Sequence, residues 1–135
     1  MTATVISILS VDDDPFYLRV LERLLEQGFA REFGCTMNVT SVLDVLSALD
    51  ELNRTAFDLV ITDLMLGMIN GDVLVRRIRD GGIEGQTSPT SRDVPIITIS
   101  MDTTGPPEAN AHIVKPFEVL QLKQVIFELL RDKWR

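Results

Sequence analysis

The chain has a single cysteine, Cys35, which excludes an internal disulfide and offers no second thiolate at zinc-ligand spacing. That agrees with a reducing compartment and leaves Cys35 as a small packing residue. No apolar run reaches the ~18 residues of a membrane span, and the N-terminus lacks the basic start and cleavage pattern of a secretory signal. The expected location is the cytoplasm, with no membrane partner. Basic residues are in the minority, with 13 Lys and Arg against 20 Asp and Glu, giving a net charge of −7. Nucleic acid is bound by concentrated basic surface, so this balance argues against it as a partner. The one basic cluster, Arg76, Arg77 and Arg79, reads as the solvated side of a helix. Glycine-rich loops that cradle nucleotide phosphates are missing too. At 135 residues the expectation is one domain, 1–135, with no attached output domain.

What is present is an alternation of two hydrophobic periods. "TVISILSV" is a short β-branched run, and "PFYLRVLERLLEQGF" after it carries Tyr17, Val20, Leu21 and Leu24 at helical spacing. Pro15 suits the first helical position, with Asp14 as its cap. "MNVTSV" reads as a second strand and "VLDVLSALDELN" as a helix presenting Val42, Val45, Leu46 and Leu49, opened by a capping box of Ser41 and Asp44. "FDLVIT" runs directly into Asp63, and after the loop "LMLGMIN" comes "GDVLVRRIRD", with Gly71, Leu74, Val75 and Ile78 on its buried side. "GGIEGQTSPTSR" has the composition of an exposed loop. "VPIITIS" and "AHIV" are the last strands, and "FEVLQLKQVIFELLRDKW" is a terminal helix with Leu122, Val125, Ile126 and Leu129 in phase. Apolar strands alternating with helices define an α/β fold with a parallel sheet covered on both faces. Ligands of such sheets bind outside the carboxyl ends of the strands. The residues standing there are Asp12, Asp13 and Asp14 after the first strand, Asp63 after the third, Ser100 after the fourth and Lys115 after the fifth.

Converging carboxylates repel one another unless a cation neutralises them. A hard divalent ion does this best, and Mg2+ is typically held by one or two carboxylates together with phosphate oxygens. A carboxylate can also act as nucleophile toward a phosphoryl group, with a lysine and a hydroxyl binding the remaining oxygens.

"VDDD", "VITDLMLGMINGDVLVRRIR", "VPIITIS" and "HIVKPF", in that order at strand ends, resemble the receiver domains of two-component response regulators. The resemblance runs from about Val5 to the C-terminus. It implies a doubly wound, five-stranded CheY-like sheet of order 2-1-3-4-5. Asp63 would take a phosphoryl group from a phosphohistidine on a sensor kinase or histidine phosphotransfer protein. Asp13 would be a direct Mg2+ ligand, Asp12 a water-mediated one, and Met65 would give its backbone carbonyl. Ser100 matches the hydroxyl that swings to the phosphoryl group, Lys115 the lysine that binds it, and Lys115–Pro116 a bond that is usually cis in the family. On this reading the chain is not an enzyme beyond its own phosphorylation and dephosphorylation. It would signal by binding a downstream protein, with a second copy of itself as a further partner.

The pattern is broken in four places. Gly67 stands where the family has proline, which implies a looser loop. Met101 follows the switch hydroxyl where a small residue is usual. His112 replaces the aromatic switch residue, and is read as a steric substitute rather than a pH sensor. Gly105, Pro106 and Pro107 exclude the full helix expected between the fourth and fifth strands. The segment Met101 to Asn110 is then expected to be mobile and to order on phosphorylation. Met65, Met68 and Met101 read as packing or loop residues, and Trp134 as folding back on its own helix. The competing reading is a pseudo-receiver that binds partners constitutively without phosphorylation. A hydrolase on a similar sheet needs a second aspartate two residues after the nucleophile, where this chain has Met65.

Overall fold

The computed structural model describes residues 4–81 and 88–134. Its elements are β1 (Val5–Val11), α1 (Pro15–Arg23), β2 (Thr36–Val42), α2 (Val45–Leu52), β3 (Leu59–Asp63), α3 (Gly71–Arg79), β4 (Ile96–Ser100), β5 (Ala111–Val114) and α4 (Val119–Leu129). All strand pairs are parallel, in the order β2-β1-β3-β4-β5. No described residue between β4 and β5 is helical, as the prolines require.

Alternation along the strands builds two apolar layers. Ile6, Ile8, Ile61, Ile97, Ile99 and Ile113 face α1 and α4, where Leu21, Leu25, Leu122 and Ile126 meet them. Leu9, Val11, Val60 and Ile96 face α2 and α3 and are covered by Val45, Leu49, Leu74 and Ile78. Burying each such side chain stabilises the fold by roughly 1.5–3 kcal/mol. The layers differ in places from the expected faces. In the first helix Leu18, Leu21 and Leu25 are buried while Val20 is 46% exposed, because the stripe facing the sheet is one residue further round. That helix also runs past Phe29, through a π-helical stretch (Leu24–Phe29) and a final turn (Ala30–Phe33) stopped by Gly34 at φ 69°. Leu46 is exposed, and α2 buries Val45, Ala48, Leu49 and Leu52 instead. Val42 belongs to β2, and the cap of α2 is Asp44 alone, accepting from Ser47 N–H at 2.7 Å. Ser41 remains in the strand and donates to Glu22.

Part of the polar loop after α3 (residues 82–87) lies outside the described residues. Its continuation is pinned rather than loose: Ser88 Oγ donates to the Leu52 carbonyl, while Thr90 Oγ1 donates to Thr55 and accepts Phe57 N–H. Trp134 does fold back, donating through Nε1 to the Phe127 carbonyl and stacking on that ring. Cys35 packs, half-buried, against the α1/α4 layer.

The missing crossover helix has a physical substitute. On the sheet face that it would cover, β4 and β5 present Thr98, Ser100 and His112, which offer little apolar area to bury. A strap, residues 101–110, lies there instead, and Arg79 fastens it. Its Nε donates to the Glu108 carbonyl at 3.0 Å, Nη1 to the carbonyls of Arg92 and Val94 at 2.7 Å each, and Nη2 to Asn110 Oδ1 at 2.8 Å. Asn110 Oδ1 also accepts Ile96 N–H, so the guanidinium is locked to the start of β4. Arg79 is thus not the solvated residue its neighbours suggested. Arg76 fits that description better, pairing with Asp72 on the exposed side of α3. The fan of donors also fastens the second half of the segment expected to be mobile.

Removing the fan leaves three carbonyls short of a charged donor. Arg79→Ala is expected to cost about 2 kcal/mol in urea unfolding and to speed amide exchange at Glu108–Asn110. Arg79→Lys should recover little, because an ammonium lacks the planar fork.

Candidate functional site

Each chemistry-bearing residue sits on the last rung of the sheet. Asp12 N–H donates to the Val42 carbonyl, Leu64 N–H to Ile99, and Lys115 N–H to Ser100, so the ladder runs one residue past the strands and aligns their ends. Asp12 and Asp63 are nearly buried, at 5% and 7% exposure, and Asp13 lies open at the rim. One carboxylate oxygen from each of Asp12, Asp13 and Asp63 falls within 4.8 Å of the others. Asp14 belongs elsewhere: it caps α1, accepting Phe16 N–H, while its own N–H holds Asp12 Oδ1 at 3.0 Å.

Lys115 reaches into this cluster. Its Nζ donates to Asp63 Oδ2 at 2.6 Å and to Asp12 Oδ2 at 3.3 Å. The ammonium lies 4.2 Å from the centre of the Tyr17 ring, which is itself braced edge-on by Phe117. Burial works against the charged amine, but the hydrogen bond to Asp63 and the fields of Asp12 and Asp63 outweigh it, holding Lys115 above its usual range. For Asp12 burial dominates, and its carboxyl is pushed up despite Asp14 N–H and Lys115. Two nearly buried carboxylates and a third beside them face one amine, so negative charge is left over. The donors are all oxygen. That set suits a hard cation such as Mg2+.

The loop after Asp63 is folded tightly onto it. Met65 N–H donates to Asp63 Oδ1 at 2.8 Å, fixing the carboxylate, while the Met65 side chain is exposed. Gly71 N–H donates to the Leu64 carbonyl at 2.9 Å, and a Cβ at Gly71 would collide with the Asp63 carbonyl. Gly71 was expected only as part of a buried helix face; its closeness to Asp63 is set by tertiary packing that periodicity does not encode. Gly67 has φ 81°, a left-handed conformation closed to proline, so the exchange at this position serves a specific turn rather than slackness alone. Lys115–Pro116 is cis, as expected. Met68 and Met101 project into solvent rather than packing, Met101 at 80% exposure.

Ser100 is buried, but its hydroxyl is turned to the strap. It accepts Asp102 N–H at 3.1 Å and lies 3.4 Å from His112 Nε2. The structure thus gathers Asp12, Asp13, Asp63 and Lys115 into one pocket, with Ser100 and His112 forming an adjoining pair. Tyr17 joins the site unannounced, since its helical spacing marked it only as a core residue.

This order of strands and this acidic pocket at their ends are those of a receiver-type fold, and the chain belongs to the response regulator receiver domain family, whose model it matches over residues 8–127. It is 31% identical over 139 residues to the two-component response regulator ORR22 of Oryza sativa subsp. indica, covering 94% of this chain and 17% of that protein. With the response regulator ArlR of Staphylococcus aureus (strain Mu50 / ATCC 700699) it shares 34% identity over 129 residues, 92% of this chain and 52% of the other. The chain therefore spans from under a fifth to about half the length of these relatives. Among solved structures, the receiver domain of sensor histidine kinase PA1611 from Pseudomonas aeruginosa has a TM-score of 0.71 at 26% identity, over 96% of this chain and 99% of that one. That protein carries a magnesium ion in its active-site cleft. The Francisella response regulator 1452 receiver domain shares the fold at TM-score 0.74 and 18% identity, over 93% and 97% of the two chains.

Two substitutions test this geometry. Gly71→Ala should cost about 2 kcal/mol by overpacking against Asp63, while Gly28→Ala, whose Cβ would meet only Leu24 Cδ1 at 3.8 Å, should be near neutral in the same urea titration. Because the Asp12 carboxyl is raised in the folded state, the native protein holds the proton more tightly than the unfolded chain. Stability therefore falls as pH rises from the unfolded value of 3.8 through the folded one. Asp12→Asn abolishes that fall, so at neutral pH with chelator its urea midpoint should lie above wild type.

Proposed function

We propose that the chain is a phosphorylation-controlled switch of a two-component phosphorelay, located in the cytoplasm and acting by protein–protein contact. The observation that carries this reading is Lys115 Nζ at 2.6 Å from Asp63 Oδ2, with Asp12 and Asp13 across the same pocket. Asp63 is the acceptor. Its Oδ1 is held by Met65 N–H, which leaves the Oδ2 side, now paired with Lys115, as the nucleophilic face. In transfer from a phosphohistidine the N–P bond breaks as an O–P bond to Asp63 forms. The histidine nitrogen keeps the electron pair of the broken bond and takes up a proton from solvent. Lys115 then exchanges its carboxylate partner for a phosphoryl oxygen, keeping its charge throughout, as its raised pKa favours. Asp12 and Asp13, with Asp63 and the Met65 carbonyl, would hold Mg2+, which supplies charge neutralisation for the transferring oxygens. Ser100, one rung beyond Asp63 in the register of β3 and β4, is the hydroxyl available to the phosphoryl group.

A sensor histidine kinase or a phosphotransfer protein is the expected donor. The chain catalyses at most its own phosphorylation and dephosphorylation, because Met65 provides no acid or base for turnover. Among the described residues no helix is long and apolar enough to cross a membrane. The exposure of Met101 speaks against the pseudo-receiver alternative, since its side chain extends into solvent rather than filling the pocket.

Incubation with a small-molecule phosphodonor and Mg2+, followed by intact mass, should add one phosphoryl group to wild type and none to Asp63→Asn. Chelator should abolish the gain. Equal labelling of both proteins, or none of wild type where an ordinary receiver is labelled, would overturn the assignment.

A further inference from the structure

Groups of two kinds hold the Lys115 ammonium in its pocket. Two of its three donors go to carboxylates, Asp63 Oδ2 at 2.6 Å and Asp12 Oδ2 at 3.3 Å, and both of those contacts depend on what else enters the pocket. The other neighbour is the face of Tyr17, whose ring centre lies 4.2 Å from Nζ. An aromatic face attracts an ammonium through its quadrupole, carries no net charge and exchanges no proton or phosphoryl group. Its hold on Lys115 therefore does not depend on which anion the ammonium is paired with.

The ring is fixed from two parts of the chain. Tyr17 lies in the first turn of α1, which starts directly after the Asp12–Asp14 run and is capped by Asp14. Phe117 stands edge-on against it, with centroids 6.0 Å apart and planes at 76°, and packs on the α1/α4 layer. Lysine and brace thus come from one loop, two residues apart, and the tyrosine reaches them from the helix that follows the acidic pair. Such a clasp is needed because lysine is a strongly hydrated charge on a flexible four-carbon stem. With 21% of its side chain exposed, solvent competes for the ammonium.

We propose that Tyr17 is a positioning residue that keeps the Lys115 ammonium in the pocket while its anionic partner changes, and so sets how tightly a phosphoryl group on Asp63 is retained. This rests on the phosphoacceptor reading above. When Asp63 Oδ2 bonds to phosphorus, Lys115 loses its shortest contact and has to move to a phosphoryl oxygen. A lysine released to water at that moment leaves the phosphoryl oxygens without its charge. The ring prevents the release because its attraction spans the exchange. The contact is made by the ring face, so the Tyr17 hydroxyl is not needed for it.

The test reads Lys115 directly. Lys115, Lys123 and Lys133 are the three lysines of the chain, so their ε-methylene signals can be followed singly in 1H–13C spectra, with Lys123→Arg and Lys133→Arg assigning the other two. A lysine end lying over a ring face is shifted upfield by the ring current. Wild type should show that shift for Lys115, and binding of beryllofluoride with Mg2+, read by fluorine NMR, should leave it in place. Tyr17→Leu, apolar but without a π face, should lose the shift and bind the mimic roughly threefold to tenfold more weakly, the weight of one partly covered cation–π contact. Tyr17→Phe keeps the face and should recover most of both, which a role for the hydroxyl would not allow. Should the Leu variant fail to fold, Phe117→Leu leaves the ring unbraced and should lower shift and affinity together by smaller steps. Bound mimic in wild type with the upfield shift lost, or wild-type affinity in a folded Tyr17→Leu, would overturn the positioning role alone. Absence of bound-fluoride signals in wild type would overturn the phosphoacceptor reading, and the positioning role with it.

Discussion

Two nearly buried carboxylates, with a third at the rim, repel one another, and the amine of Lys115 is what allows the fold to bring them together. At an effective dielectric near 20, two like charges about 4 Å apart repel by roughly 4 kcal/mol, a large part of the ~5–15 kcal/mol by which a domain is stable. Lys115 offsets part of this through two ion pairs and sits under the Tyr17 ring. Burial, with the field of Asp63 adding to it, leaves the Asp12 carboxyl raised, a site kept short of positive charge. That deficit suits the pocket to a hard cation. Stability is given up where the chemistry needs it.

The sheet supplies the accuracy. Three strand ends deliver their residues through ladder hydrogen bonds that run one rung beyond the strands, so no site residue depends on a long free loop. The one loop that does contribute, after Asp63, is clamped by Met65 N–H and by the close approach of Gly71. The Asp63 carboxylate is held at one oxygen by Met65 N–H and at the other by Lys115.

Much of this was legible in the sequence because strand ends are marked by the switch from apolar runs to charged or turn residues. Asp12, Asp13, Asp63 and Lys115 were placed by that rule, and the two prolines correctly removed a helix. What escaped was whatever depends on three-dimensional closeness between distant residues. Arg79 is indistinguishable in sequence from Arg76 and Arg77 on the same helix; only the neighbouring carbonyls of Arg92, Val94 and Glu108 set it apart. The buried face of the first helix lies about one position further round than expected, and in α2 Val45 and Leu49 are buried as expected while Leu46 is not, because a run rich in apolar residues fits more than one stripe. Tyr17 and Gly71 came to lie against Lys115 and Asp63 unforeseen for the same reason: helical spacing reports a buried side, not what that side touches.

Replacing a helix by an arginine fan also changes when this quarter of the molecule can form. Helical hydrogen bonds link residues four apart and close early, whereas those of Arg79 span separations of 13, 15, 29 and 31 residues. Contacts of that range carry the loop-closure entropy of the segments they join, and they form only after β4 and α3 have docked. The strap is thus a late-folding piece, completed on a finished sheet, and the first to be released when the sheet's edge loosens.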